Sequence, residues 1–467
     1  MSERFSRRQA IGLILSAMWF VSVLVIGPQG DLTTPASRML AIFGVAVVLW
    51  ITEAIPLAAT SILVILAEVL LISDQALVGL PAGADPRPYA EYFGTLAHPV
   101  LILFLGGFVL AAAASKYRLD RNLAGVLLKP FGDSPRSIMA GLMAITAALS
   151  MFMSNTATTA AMMAVVLPVA AGLDASDRFR AGLVLSIPIA ANVGGIGTPV
   201  GSPPNAIALG RLVEEGIRVD FVTWMLLAIP LMIVVLALAW LLLVRWFPAD
   251  AARVDVSIGG SFDRSGAAMI LYVTFAFTVL AWVTEPLHGV PSAIVGFVPV
   301  VVLLSTQVFS TSDLRLLNWH VLWLVGGGIA LGVGVASTGL DAWLVGLFDW
   351  SSLPTLVLTA ALGGTAIGLS TIISNSATAN LLVPIGISLA ASDAVDLDPL
   401  VAGLVFALPG SLALGLPVST PPHAVAEASG GLRTGERARV GLGVGGVGVE
   451  RGGFGARARG RGVGRGW

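Results

Sequence analysis

Ser154-Asn155-Thr156-Ala157-Thr158 interrupts a long apolar segment, and a near copy, residues 374–378 (SNSAT), interrupts a second one. Each copy is followed by another matched element, residues 197–205 (GTPVGSPPN) and residues 415–423 (GLPVSTPPH). Polar breaks in an apolar helix persist at membrane depth only where protein, water or a ligand satisfies the freed backbone groups. Breaks that recur in two halves of one chain are typical of secondary transporters.

The composition predicts a polytopic, all-α membrane protein. Among 467 residues, 56% are hydrophobic, 11% are charged, and the mean hydropathy is +0.90. Such a chain is suited to lipid, so we expect membrane lipid as its surroundings and no nucleic acid partner. The sequence contains no cysteine, which excludes a disulfide framework, a thiolate metal site and a cysteine nucleophile.

Apolar runs that are long enough to cross a bilayer recur along most of the chain. They cover about residues 9–27, 38–55, 57–73, 98–115, 182–198, 221–244, 267–284, 291–308, 320–337 and 400–417. Two longer blocks, 137–172 and 354–390, have the Ser-Asn motif at their centre. We interpret them as re-entrant helical hairpins, which return the chain to the side from which it entered.

The positions of Lys and Arg predict the orientation. Arg7 and Arg8 precede the first span, and Lys116 and Arg118 begin a basic loop after the fourth. Because cytoplasmic loops are enriched in Lys and Arg, we expect a cytoplasmic N-terminus in a multi-pass protein of the inner or plasma membrane. On this count the first hairpin opens from the cytoplasm and the second from the exterior, as an inverted repeat requires.

Four landmarks recur in the same order and define two inverted-topology repeats, each with a re-entrant hairpin and a broken helix. Besides the hairpin motif and the Pro-Pro element, these are residues 52–56 (TEAIP) with 284–286 (TEP), and 105–107 (LGG) with 325–327 (VGG). The predicted divisions are an N-terminal helix at 1–37, repeat one at 38–245, a cytoplasmic linker at 246–266, repeat two at 267–430, and a tail at 431–467.

The breaks offer two kinds of ligand side by side. Helix N-termini that begin near Thr156, Pro203, Ser376 and Pro421 would present N–H groups and the positive end of a helix dipole to an anion. Carbonyl oxygens of the preceding half-helices, with serine hydroxyls and asparagine amide oxygens, suit a small hard cation such as Na⁺. The motif residues contain no Asp or Glu, so a substrate would supply the negative charge.

These motifs resemble the divalent-anion/sodium symporter family along nearly all of residues 9–430. The resemblance implies a sodium-coupled importer of dicarboxylates that works by alternating access as a homodimer, with at least two Na⁺ sites. It implies a first Na⁺ site of Ser150, Ser154, Asn155 and Gly201, and a second of Ser370, Ser374, Asn375 and Ser419. It implies substrate binding by Asn155, Thr156, Ser202, Asn375, Ser376, Thr420 and Pro421.

Several alternatives stay open on the sequence. Within the family, the chain could exchange dicarboxylates or carry sulfate or a tricarboxylate; outside it, a sodium/proton or metalloid antiporter of a related fold is a further reading. An intramembrane hydrolase is disfavoured, since the chain has neither a His-Glu-x-x-His zinc pair nor a Gly-x-Ser-x-Gly elbow. His423 stands where repeat one has Asn205, as a neutral hydrogen-bond partner or, if protonated, as a cation that would favour exchange or pH sensitivity.

The tail departs from the repeat pattern. Symmetry calls for an apolar span after about residue 435, as repeat one has at 221–244, but residues 451–467 are rich in Gly and Arg. Such a segment cannot span a bilayer. We interpret residues 431–467 either as a frameshift that replaces the last helix or as a native tail.

Overall fold

The computed structural model describes residues 6–174, 176–254, 262–350, 353–392, 395–411 and 421–428. All regular structure in these ranges is helical, with short 3₁₀ turns at Thr95–Ala97 and Lys129–Phe131. The α-helices are α1 Arg7–Ile26, α2 Thr34–Thr52, α3 Leu57–Leu71, α4 Tyr89–Gly94, α5 Pro99–Lys116, α6 Leu119–Leu127, α7 Pro135–Ser150, α8 Asn155–Ala171, α9 Phe179–Gly195, α10 Pro203–Glu214, α11 Phe221–Trp246, α12 Gly266–Val283, α13 Glu285–His288, α14 Ser292–Ser305, α15 Thr311–Leu314, α16 Trp319–Thr338, α17 Leu340–Gly346, α18 Thr355–Ile372, α19 Asn375–Ala391, α20 Pro399–Ser411 and α21 Pro421–Ala428.

Seven helical segments in the described ranges are long and apolar enough to cross a membrane: α1, α2, α4 with α5, α11, α12, α16 and α18. The prediction of an all-α, multi-pass membrane protein is therefore confirmed. Two predicted spans are shorter than the apolar runs suggested, because α3 has 15 residues and α14 has 14. At 1.5 Å per residue, helices of this length cover about 21–23 Å of a hydrocarbon layer about 30 Å thick.

Both apolar blocks with a central Ser-Asn motif are broken at that motif. In the first block, α7 ends at Ser150 and α8 begins at Asn155; we call this pair hairpin one. In the second, α18 ends at Ile372 and α19 begins at Asn375; we call this pair hairpin two. The two helices of each pair pack against each other, and no charged residue occurs in α8 or α19.

Each of the two broken helices, α9 with α10 and α20 with α21, packs its first half on one hairpin and its second half on the other. The first halves stay with their own hairpin, since α9 packs on α7 and α8 while α20 packs on α18 and α19. The second halves cross over: α10 packs on α19 and α20, and α21 packs on α8 and α9. Each hairpin therefore contacts a part of both broken helices.

The remaining long helices pack around this unit through glycine contacts. Along α16, Gly327 lies against Ser61 of α3, and Gly334 lies against Glu68 one heptad later. A Cβ on either glycine would overlap its neighbour, so these glycines allow α3 and α16 to run close together in parallel. The same close approach brings Gly106 of α5 against the carbonyl of Gly296 in α14.

The predicted broken helix of repeat two is described only on its two sides. Residues 412–420 lie outside the described residues, as does the tail predicted at 431–467. The two-repeat division, its inverted orientation and the domain bounds given above stay predictions.

Candidate functional site

The end of hairpin one places three oxygen atoms together. The hydroxyl Oγ of Ser150, in the last turn of α7, lies 2.7 Å from Oδ1 of Asn155 and 2.7 Å from the carbonyl oxygen of Ala191 in α9. Ser150 is fully buried. Its hydroxyl has one proton to donate to two acceptor oxygens, so the cluster has spare lone pairs and could accept a cation.

The loop between α9 and α10, residues 196–202, lies against this cluster, and four side-chain hydrogen bonds hold the loop and the end of α9 before it. The Thr198 hydroxyl donates to the Met151 carbonyl at the turn of hairpin one. Asn205, at the start of α10, donates from Nδ2 to the carbonyls of Gly195 at 2.9 Å and Thr198 at 2.8 Å. Trp224 of α11 donates from Nε1 to the Ile196 carbonyl at 3.1 Å. These bonds satisfy backbone groups that the break frees.

Close approach at this point requires glycine. A Cβ on Gly195 would overlap the side-chain amide of Asn155, and a Cβ on Gly201 would overlap the Gly195 carbonyl. Of the four residues predicted for the first Na⁺ site, Asn155 and Gly201 therefore lie against Gly195, and Ser150 joins them through its bond to Asn155. The fourth, Ser154, precedes α8 as its N-cap, but its hydroxyl makes no capping bond.

Hairpin two repeats the core of this arrangement. The Ser370 hydroxyl donates to Oδ1 of Asn375 at 2.7 Å, the same bond and distance as Ser150 with Asn155. The Ser374 hydroxyl accepts from the N–H of Ala377 and so caps α19. Of the other predicted residues, Pro421 begins α21, whereas Ser419 and Thr420 lie outside the described residues.

The residues predicted to bind substrate divide by burial. Asn155 and Thr156 at hairpin one, and Asn375 and Ser376 at hairpin two, are half-buried. Ser202 is 3% exposed; it holds the N-cap position of α10, yet its side chain makes no capping bond. Ser202 therefore differs from Ser374, whose hydroxyl does cap its helix.

Asn192, which no sequence motif marks, joins hairpin one to the second broken helix. Asn155 donates from Nδ2 to Oδ1 of Asn192 at 3.4 Å, and Nδ2 of Asn192 lies 3.4 Å from Nδ1 of His423 in α21. The available signal was an amide within the apolar helix α9, since a buried amide needs partners. A single Asn does not reveal which helix supplies them.

The described residues contain no group of three His, Cys, Asp or Glu side chains that could hold a metal ion. A cation bound at either hairpin would therefore be held by neutral oxygens. Because α8 and α19 contain no charged residue, the favourable electrostatics for an anion would come from helix N-termini and from any bound cation.

Comparisons with known proteins indicate the family of the chain as a whole. A family model described as a citrate transporter (CitMHS) matches residues 47–407. The sodium-dependent dicarboxylate transporter SdcS of Staphylococcus aureus (strain USA300) is 30% identical over 94% of this chain and 88% of its own length. SdcS from the NCTC 8325 strain matches to the same extent.

Among solved structures, the YdaH transporter of Alcanivorax borkumensis superposes with a TM-score of 0.54 at 14% identity, covering 85% of this chain and 97% of YdaH. At this identity the match concerns the fold alone. The family model and the relatives are described as transporters, which confirms the prediction of a transporter rather than an enzyme. The family model and the SdcS relatives show that this chain belongs to the citrate-transporter family and is a membrane transporter of the divalent-anion/sodium symporter kind.

Proposed function

We propose that this protein is a sodium-coupled secondary transporter that imports dicarboxylates such as succinate or malate by alternating access. The observation that carries the proposal is the pair of matched bonds Ser150 to Asn155 and Ser370 to Asn375, both 2.7 Å. Each places a hydroxyl and an amide oxygen at a helix break without any carboxylate. The name of the SdcS relatives, a sodium-dependent dicarboxylate transporter, supports the same reading.

Two Na⁺ sites follow from this arrangement. The first would use Ser150, Ser154 and Asn155 with the Gly201 carbonyl, and the Ala191 carbonyl is a further oxygen within 2.7 Å of Ser150. The second would use Ser370, Ser374, Asn375 and Ser419. Oxygen ligands of this neutral kind suit a hard monovalent cation, whose charge then compensates part of the charge of a dianion.

The substrate would lie between the two hairpin ends. Asn155, Thr156, Asn375 and Ser376 are half-buried at those ends, and Ser202, Thr420 and Pro421 complete the proposed set. No side-chain cap satisfies the first turn of α8, so its N–H groups suit a carboxylate oxygen. A dianion would bind well only after the cations, because α8 and α19 contain no charged residue that could compensate its charge.

Alternating access would move the hairpins with α9, α10, α20 and α21 against the other helices. The exchange of α10 and α21 between the hairpins supports this unit, because it ties both hairpins to both broken helices. It is also the packing that two inverted repeats would give. With the N-terminus in the cytoplasm, hairpin one would open inward and hairpin two outward.

Uptake of labelled succinate into liposomes, with and without an inward sodium gradient, tests this function. We expect uptake only with the gradient, and a raised sodium half-saturation constant in Ser150→Ala and Ser370→Ala. Ser186→Ala is the matched control, because the hydroxyl of this buried serine of α9 donates to the Leu183 carbonyl of its own helix at 2.7 Å. Sodium-independent uptake, or an equal effect in all three variants, would contradict the proposal.

The same assay separates the alternatives. Counterflow of internal succinate without a net sodium-driven accumulation would select an exchanger of the family. Competition by malate, citrate, 2-oxoglutarate and sulfate would identify the anion. Proton-driven cation exchange without any dicarboxylate requirement would select a sodium/proton antiporter instead.

We also propose a homodimer, which the family resemblance implies. An apolar groove of about 620 Å³ lies between α5 and α14, and Ile294 and Val301 on its wall are 60% and 51% exposed. Lipid or a second copy would cover this face in a bilayer. Since the chain has no cysteine, Val301→Cys gives a clean cross-linking test, and a monomer at all protein-to-lipid ratios would exclude the dimer.

A further inference from the structure

A chain of three polar side chains, two of them buried, connects hairpin one to the second broken helix. Asn155, at the start of α8, donates to Asn192 of α9, and Asn192 faces His423 of α21, with 3.4 Å between the polar atoms at each step. Asn192 and His423 are 2% and 3% exposed. The helices themselves pack together, since α21 contacts both α8 and α9.

The polarity of this chain follows from the hydrogen bonds at its start. Oδ1 of Asn155 accepts from Ser150, so its Nδ2 is the donor toward Oδ1 of Asn192. Nδ2 of Asn192 is then the donor toward Nδ1 of His423. In this arrangement His423 accepts at Nδ1, and a neutral imidazole carries its proton on Nε2.

Asn205 holds the corresponding position of the first broken helix but has different partners. Its Nδ2 donates to the carbonyls of Gly195 and Thr198, both in or next to its own break. A neutral imidazole has a single N–H donor, so His423 cannot make both of these bonds. Nδ1 of His423 contacts Asn192 of the other broken helix. Asn205 therefore bonds the loop of its own broken helix. His423, at the corresponding position, contacts the other broken helix.

We propose that His423 is a positioning residue that orients Asn155 through Asn192 and thereby couples the first Na⁺ site to the second broken helix. This inference rests on the proposed function, because it takes Oδ1 of Asn155 as a Na⁺ ligand. A cation that fixes the Asn155 amide also fixes Asn192, and Asn192 in turn holds α21. Because coupling between sites is reciprocal, order in α21 strengthens Na⁺ binding at hairpin one.

A set of substitutions tests the coupling through the sodium half-saturation constant for succinate binding to the purified, full-length protein. Each of Asn192→Ala and His423→Ala should raise this constant roughly threefold to tenfold, the range of one buried hydrogen bond. Combining the two should add little, because either substitution alone breaks the chain. The sodium Hill coefficient should fall in all three variants.

Two conservative variants separate positioning from a merely structural role. In His423→Asn the amide oxygen can occupy the place of Nδ1, whereas in His423→Gln the amide lies nearer the place of Nε2. We expect His423→Asn to restore most of the affinity that His423→Ala loses, and His423→Gln to restore little. This comparison remains decisive if an alanine variant fails to fold.

Additive effects of Asn192→Ala and His423→Ala, or equal rescue by Asn and Gln, would overturn the coupling while leaving sodium-dependent binding by the wild-type protein intact. Failure of the proposed function has a different signature. In that case the wild-type protein itself binds succinate equally well with Na⁺ or with choline. Sodium dependence in the wild type with non-additive variants supports both proposals.

Discussion

Replacement of Gly201 by alanine should weaken Na⁺ binding at the proposed first site. The added Cβ would overlap the carbonyl group of Gly195. That carbonyl cannot move aside freely, because Asn205 donates to it at 2.9 Å. The Gly195 Cα in turn lies against the Asn155 amide. We therefore expect the strain of Gly201→Ala to reach the proposed ligand Asn155.

The magnitude follows from the nature of the clash. Overpacking by one methyl group in a tightly packed interior costs about 1–3 kcal/mol. If this strain is relieved by displacing Asn155, the sodium half-saturation constant rises roughly fivefold to 150-fold, since 1.4 kcal/mol corresponds to a factor of about ten. Sodium-dependent succinate uptake into liposomes measures this constant, and thermal unfolding in detergent measures the accompanying loss of stability.

Gly94→Ala is the matched control. It makes the same chemical change in the exposed last turn of α4, where no described atom lies within 4 Å of the added Cβ. Alanine is the better helix former by roughly 0.5–1 kcal/mol, so neither stability nor sodium affinity should fall. If Gly201→Ala behaves like Gly94→Ala, with an unchanged half-saturation constant, the close approach does not control the Na⁺ site and the reasoning is refuted.

Three further substitutions test the loop beside the site, an ion pair at the end of α5 and a buried carboxyl in α3. Trp224→Phe removes the donor to the buried Ile196 carbonyl, 3.1 Å away, and should cost about 1–3 kcal/mol, seen as a lower unfolding temperature that Trp224→His partly restores. Lys116 hydrogen-bonds Asp313 and lowers the pKa of that carboxyl from 3.8 to about 2. The resulting stabilisation of the fold is present above pH 4 and is lost as the pH falls toward 2. Lys116→Met should therefore reduce the change in unfolding temperature between pH 4 and pH 2. Both carboxyl oxygens of Glu68 are buried without a hydrogen-bond partner among the described residues, so Glu68→Met should raise the unfolding temperature, and loss of uptake with an intact fold would instead assign Glu68 a role in transport.

The duplicated motifs predicted the fold class and the two hairpin breaks to within a few residues. Ser-Asn at 154–155 and at 374–375 marks the start of α8 and α19, because a polar turn in an apolar block leaves few alternatives in lipid. The Pro-Pro elements marked the start of α10 and α21, since proline is tolerated in the first helical turn. The spacing of Ser150 four residues before Ser154 brought the hydroxyl within reach of Asn155.

Contacts between distant segments could not be predicted in this way. Nothing local to Ala191 indicates that its carbonyl faces Ser150, and the two donors of Asn205 reach carbonyls that only the folded loop brings together. The crossing of α10 to hairpin two and of α21 to hairpin one is likewise a tertiary feature. Sequence symmetry indicates which elements correspond, but not which of them touch.

The difference between Asn205 and His423 shows where that symmetry ends. Two equivalent halves would bind two cations independently and with similar affinity, since each break would be held by its own asparagine. Here one half holds its own loop through two amide bonds, while the other has an imidazole that faces Asn192 across the interface. A bond within one half stabilises that half in every conformation, whereas a bond between halves depends on how they are placed. A bond between the halves can therefore make the conformation of one half depend on cation binding in the other. A transporter needs this dependence if it is to move only when its cations are bound.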